Sequence, residues 1–196
     1  HKGRKNYCKR ILQYSWIMEL KTKATEILSK EHENIIKIAD ALNKEVKAIE
    51  KGREIDKDFW KKAIEFIRNY ADKFHHAKEE DILFKEFCKN EAKLHCNPVE
   101  QMLYEHNLGR DFVKGIEEGI KEDSKEKLRE NASDYARLIQ EHIFKEDNIL
   151  YPMAEEAIDE KSKKKVLEKF RKAEKKVKKG EKEKYILIAN ELGRLK

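Results

Sequence analysis

Four stretches of this chain carry the apolar stripe of a long helix, and each gives up stripe positions to residues that do not belong in a core. Leu28, His32, Ile35, Ala39, Leu42, Val46 and Ile49 recur at steps of three and four, the spacing that lines one face of a helix. The second stripe is Trp60, Ile64, Ile67, Ala71, His75, Glu79 and Ile82. The third is Val99, Met102, His106, Gly109, Val113, Ile116 and Ile120. The fourth is Leu128, Tyr135, Ile139, His142, Glu146, Ile149 and Met153. These patterns predict helices from about Thr22 to Lys51, Asp56 to Asn90, Pro98 to Glu122, and from Ser124 to a kink or stop at Pro152. Asp56 or Asp58 can cap the second helix, and Ser124 the fourth. Gly52 is placed to end the first.

The connections between these helices are short, and short connections make neighbours antiparallel. The expected fold is all-α, an up-down-up-down antiparallel four-helix bundle with one or two additional C-terminal helices packed outside it. The expected organisation is an N-terminal extension over 1–21, the bundle over 22–156, and a basic helical appendage over 157–196.

Charge supports the division. The net charge is +6, yet Lys161 to Lys196 holds fifteen Lys and Arg against five acids, and His1 to Arg10 adds five more cations and no acid. The remainder is therefore acidic, which argues against a nucleic-acid binder, since such a domain carries a basic face. The basic tail leaves a protein partner open, beside the plainer reading of a solvated Lys-rich face. Cys8, Cys88 and Cys96 form no paired motif and suit reduced thiols in a cytoplasm. No run is long and apolar enough to span a bilayer. "ILQYSWIMEL" near the start is a short apolar patch without a cleavage site, and Met18 within it offers a start position with His1 to Ile17 upstream.

The polar residues on the stripes carry the functional argument. "HHAKEEDILF" from His75 and "HIFKEDNILY" from His142 are two copies of one ten-residue pattern. "EH" likewise occurs on the first helix at His32 and on the third at His106. Each half of the chain thus holds a lone-His helix followed by a His-x-x-x-Glu helix. Residues four apart share a helix face, so His75 with Glu79, and His142 with Glu146, point together into the core. Counting the rise of about 1.5 Å per residue from the helix ends brings all six donors to one depth in an antiparallel bundle. An ionised carboxylate costs several kcal/mol to bury unless it is paired or bound to metal. A network of protonated His and carboxylate would answer that cost for one pair. For six ligand-type residues on four helices a metal centre answers it better, because divalent or trivalent ions take imidazole and bridging carboxylate together. Six donors exceed the four of a closed zinc site, so two metals sharing the Glu residues are expected.

At these residues the chain resembles the hemerythrin-like family of HHE cation-binding domains, over roughly Thr22 to Glu156. The resemblance implies two iron ions in a non-haem, carboxylate-bridged di-iron centre. It implies His32, His75, His106 and His142 as terminal ligands and Glu79 and Glu146 as bridges. His76 rivals His75, and Glu80 rivals Glu79; the second copy favours the first register because Ile143 stands where His76 stands, which leaves His76 open as an extra ligand. Ferritin-like sites use Glu-x-x-His instead. The chain also departs from the oxygen-carrying members. Arg110 stands where they have a second His on the third helix, and Asp147 stands where they have an Asp ligand, although the repeat favours Glu146. The opened position could go to water, to a Tyr such as Tyr135, or to a substrate, and Gly109 could leave room for a small ligand or serve close helix packing. The implied function is binding of dioxygen or a related small oxidant, for sensing, scavenging or delivery. Enzymatic reduction of peroxide or nitric oxide, iron donation for iron–sulfur cluster repair, and a metal-switched regulatory role remain alternatives.

Overall fold

The computed structural model describes residues 23–89 and 97–194. The N-terminal extension with its apolar patch and Met18, the expected helix limits Thr22 and Asn90, and Cys8 and Cys96 lie outside the described residues. Every element is helical, with no strand among the described residues. Helix α1 is Ala24–Glu50. Helix α2 covers residues 57–88 and changes pitch along its length. It runs α over Lys57–Phe66, π over Ile67–His76, π again over Glu79–Leu83, and α over Phe84–Cys88. Helix α3 is Val99–Lys121. Helix α4 covers residues 125–157, with a π turn at Glu146–Leu150 between Lys125–Lys145 and Tyr151–Ala157. Helices α5 (Glu160–Lys176) and α6 (Glu181–Gly193) follow.

The ends of these helices follow from local chemistry. Asp56 accepts hydrogen bonds from the backbone N–H of Asp58 and Phe59, both at 3.1 Å, so it rather than Asp58 starts α2. Ser124 caps α4 by accepting from Lys127 N at 3.3 Å, and Asp159 caps α5 from Lys161 N and Ser162 N. Gly52 follows α1 at φ +96° and Gly180 precedes α6 at φ +87°, conformations that glycine adopts without a Cβ penalty.

Pro152 does not close the fourth helix, one of the two outcomes expected of it. It falls in the first turn of the α segment that follows a π turn, where a missing backbone N–H is tolerated. The π turns also correct the predicted stripe. An α-helix advances about 100° per residue, so steps of four drift off a face by about 40° each. Yet Ile67, Ala71, His75, Glu79 and Leu83 are all buried at unbroken steps of four, as are His142, Glu146, Leu150 and Ala154. The wider π turns absorb the drift. Leu83, Leu150 and Ala154 therefore take the buried places that regular α geometry assigned to Ile82, Ile149 and Met153. Ile149 is 47% exposed, and the other two are half-buried.

Around the interior α1 touches α2, α2 touches α3, α3 packs along α4, and α4 returns to α1. Close approach of α3 and α4 depends on Gly119: a Cβ there would lie 2.7 Å from the backbone N of Leu128. The apolar residues form two clusters. One contains Ile35, Ala71, Val113 and Ile139, and the other Leu28, Leu83, Met102 and Leu150. A layer of His and Glu separates them. The last two helices share this core. Tyr185, Ile188, Ala189 and Leu192 of α6 belong to the first cluster, and Val166 and Phe170 of α5 to the second. No helix among the described residues is long and apolar enough to cross a membrane.

Each large apolar side chain so buried contributes about 1.5–3 kcal/mol, and a domain has about 5–15 kcal/mol in all. A chain ending at Ile158 is therefore expected to lose most of its stability, read as a thermal transition lowered by well over about 10 °C. An unchanged transition would show that α5 and α6 are dispensable to the core.

Candidate metal centre

The polar layer is built from four imidazoles in two facing pairs. His32 Nε2 lies 3.0 Å from His75 Nε2, and His106 Nε2 lies 2.9 Å from His142 Nε2. Each ring's other nitrogen is held by a carboxylate. His32 Nδ1 is 3.1 Å from Asp147, His75 Nδ1 is 3.0 Å from Glu31, His106 Nδ1 is 2.7 Å from Glu80, and His142 Nδ1 is 2.8 Å from Glu105. With Nδ1–H donating outward, a neutral ring turns its Nε2 lone pair inward, which is the tautomer a metal requires.

These partners explain the repeated ten letters almost residue by residue. The first His is a donor. The Lys, Lys78 or Lys145, pairs with the Glu that precedes the lone His, Glu31 or Glu105. The next Glu, Glu79 or Glu146, enters the layer. The acid after it reaches across to the lone His of the other half: Glu80 to His106, and Asp147 to His32. The Leu rejoins the apolar stripe after the π turn. The closing aromatic lies against that same His, Phe84 at 6.0 Å from His106 and Tyr151 at 5.6 Å from His32 between ring centres. The two halves thus bind each other through equivalent contacts. They differ at the periphery: Lys78 is 2% exposed, beneath Phe74 and Phe170 with Glu174 and Lys182 beside it. The side chain of Lys145 is 32% exposed.

Glu79 and Glu146 are fully buried. Glu146 Oε2 is 3.2 Å from His32 Nε2 while its Oε1 is 3.1 Å from His142 Nε2, so one carboxylate spans both imidazole pairs. Glu79 Oε2 lies 3.5 Å from His75 and 3.6 Å from His106, one ring of each pair. Neither Glu146 oxygen nor Glu79 Oε2 makes an aligned hydrogen bond, a costly condition for buried carboxylates. Donor atoms of His32, His75, Glu79 and Glu146 fall within 4.8 Å of one another, as do those of His76, Glu79, His106 and His142. Two cations would satisfy what the protein leaves unpaired. The residues therefore fit a two-metal centre, with nitrogen and oxygen donors throughout.

The electrostatics agree. Burial and the neighbouring Glu146 charge push the Glu79 carboxyl well up. Burial acts the same way on Glu146, but the His142 and His32 contacts outweigh it and hold Glu146 ionised. Burial disfavours charge on His142, yet the Glu146 charge and the Glu105 hydrogen bond overcome it and lift the ring to about 9. His32 is raised against burial by Asp147 and Glu146. Burial and charged neighbours keep His75 and His106 low. Each facing pair therefore holds one ring that favours the proton and one that does not.

The six residues expected from the sequence are all brought together in this layer. His76, expected as a rival to His75 or as an extra ligand, joins the other pair, stacked on His106 at 3.8 Å. Glu80 takes the outer role on His106 Nδ1, and Asp147 that on His32. Arg110 points away from the layer and binds Asp72 and Glu80. Tyr135 lacks a hydrogen-bond partner and packs against Gly109 beside a small cavity of about 20 Å³, room for roughly one water. An added Cβ at Gly109 would make ordinary contacts at 3.7 Å, so this glycine leaves space rather than enabling close packing. Tyr151 was not anticipated. Its hydroxyl donates to Glu79 and lies 3.3 Å from His32 Nε2, and burial with the adjacent carboxylates keeps the phenol protonated. The carboxylates on the outer nitrogens were also missed, although each stands next to a predicted donor in the sequence.

The model of the hemerythrin HHE cation binding domain matches residues 23–154, about two thirds of the chain and every residue of the layer. No curated protein and no solved structure matches the chain significantly.

Metal ligation requires deprotonated imidazole. His142, at about 9, is protonated at neutral pH, so metal uptake at pH 7 is expected to release at least one proton per chain. The sign is fixed: release falls as the pH rises through about 9. Calorimetric titration with a divalent cation in buffers of different ionisation enthalpy reads this directly, and heats independent of buffer would refute the assignment.

Proposed function

Because the chain belongs to the hemerythrin HHE cation binding domain family, we propose that it is a di-iron protein binding dioxygen or a related small oxidant. In this reading residues 22–156 form an up-down-up-down antiparallel four-helix bundle. The order in which helices visit the two apolar clusters supports it. Helix α1 passes from Leu28 through His32 to Ile35, and α2 from Ala71 through His75 and Glu79 to Leu83, in the opposite sense. Helix α3 passes from Met102 through His106 to Val113, and α4 from Ile139 through His142 and Glu146 to Leu150.

The single observation that carries the proposal is the carboxylate of Glu146, with one oxygen against each imidazole pair and no hydrogen bond to satisfy either. His32 and His75 would hold one iron, His106 and His142 the other, with Glu79 and Glu146 shared. Bound iron would supply redox chemistry and an open coordination position. The chain's own residues then set the surroundings. Glu31, Glu80, Glu105 and Asp147 fix ring orientation and raise ligand basicity. Tyr151 holds one Glu79 oxygen and leaves the other directed inward. Leu138, Ile139, Val113 and Tyr135 line one side of the cavity beside His106 and His142, Asp72, His76, Glu105 and Arg110 also border it, and its volume of about 20 Å³ limits it to one small molecule.

Tyr151 also favours a second reading, reductive turnover of peroxide. A buried phenol on Glu79 is a proton donor placed at the centre, which carriage of dioxygen does not need.

Anaerobic reconstitution with ferrous iron is expected to give about two irons per chain. Exposure to air should then produce charge-transfer absorption in the near ultraviolet. Glu146→Gln, which keeps the shape and removes the charge, is expected to bind one iron or none. Sustained peroxide consumption with an electron donor would select the enzymatic reading. Failure of the wild-type protein to bind iron at the layer would remove both.

A further inference from the structure

His76 is the histidine of the layer whose ring nitrogens are left without a hydrogen bond among the described residues. It is 6% exposed. An unmade hydrogen bond at a buried polar group costs about 1–3 kcal/mol, so such groups call for an explanation. The ring is not turned away from the centre. It lies nearly parallel to His106, 3.8 Å between ring centres and 15° between planes, and 6.0 Å from the His142 ring. One of its nitrogens falls within 4.8 Å of donors on Glu79, His106 and His142. The cavity beside the ring cannot satisfy it on both sides, since it has room for about one water.

The surroundings of His76 repeat the arrangement of the other four rings. Each of those has a carboxylate on Nδ1. His76 Nδ1 has Asp72 one turn earlier on α2, at 3.8 Å, wider than a hydrogen bond but in the same place. Asp72 is itself held, by Arg110 Nε at 2.9 Å and Nη2 at 2.7 Å. Arg110 also grips Glu80 at 2.7 Å, the carboxylate on His106. One guanidinium therefore fixes the acids behind two stacked rings.

We propose that His76 is a fifth imidazole ligand, completing a three-imidazole site with His106 and His142, and that Arg110 positions it through Asp72. The proposal rests on the two-metal reading and makes the two metals unequal. One has three imidazoles, and the other has His32 and His75 only. The second copy of the repeat has Ile143 at this place, so the inequality is written into the chain.

The test uses the full chain loaded anaerobically with ⁵⁷Fe(II). His76→Phe preserves an aromatic ring against His106 and removes the nitrogens; His76→Ala removes both; circular dichroism reports folding. Wild type is expected to show two quadrupole doublets of equal area. Both variants should release one iron to a ferrous chelator at least about tenfold faster than wild type, the scale reached by changes near metal ligands, while the other iron leaves at its original rate. Asp72→Asn should shift the same doublet by less, as a positioning change does. Wild-type release kinetics and doublets in a folded His76→Phe would overturn the proposal and leave His76 a packing ring. Fewer than two irons in the wild type would overturn the two-metal reading as well.

Discussion

Two buried carboxylates, with oxygens that make no hydrogen bond, lie between two apolar clusters, and the rest of the structure is arranged around them. Among the described residues, Glu79 and Glu146 are the acids of the layer whose inward oxygens find none. Leaving one ionised carboxylate in such a place costs several kcal/mol, and a second beside it costs more. The facing imidazoles answer part of that cost through protons on His142 and His32. Cations would answer it more fully, which is why the same atoms read as a strained polar network without metal and as a complete donor set with it.

Support for the layer is distributed by symmetry. Each half supplies one facing imidazole pair, and each also supplies the carboxylate that orients the other's lone His, Glu80 for His106 and Asp147 for His32. Separating the halves would therefore remove two of the four outer hydrogen bonds, leaving Glu31 on His75 and Glu105 on His142. The symmetry fails where chemistry can differ. Tyr151 brings a hydroxyl to Glu79 where Phe84 brings none. His76 stands opposite Ile143. The Glu31–Lys78 pair is roofed by α5 and α6, whereas Glu105–Lys145 lies nearer solvent. The C-terminal helices therefore reach the surroundings of one imidazole pair and not the other.

Much of this was legible in the sequence because burial in helices is periodic. Four stripes with His and Glu substituted for aliphatics point to the helices and to the six His and Glu residues that the structure buries in one layer. Legibility ended at Glu79 and Glu146, where the backbone widens into π turns and the stripe moves on by one residue, from Ile82 to Leu83 and from Ile149 to Leu150. The unbroken steps of four from Ile67 to Leu83 carry that signal, since a regular α-helix could not keep them on one face. The outer carboxylates follow a rule visible only with coordinates: which acid serves which ring depends on contacts between helices, such as Glu80 with His106. His76 was ambiguous for a related reason. Adjacent residues on an α-helix diverge by about 100°, so the register that favours His75 turns His76 off the stripe, whereas the π segment ending at His76 brings both rings into the layer.

The most direct measurement is anomalous diffraction at the iron edge from crystals of the iron-loaded protein. The account predicts two peaks per chain, one between His32 and His75 and one between His106 and His142, with Glu79 and Glu146 reaching both. A map without peaks in this layer, with the imidazole pairs still in direct contact at about the 3.0 Å and 2.9 Å found here, would contradict it.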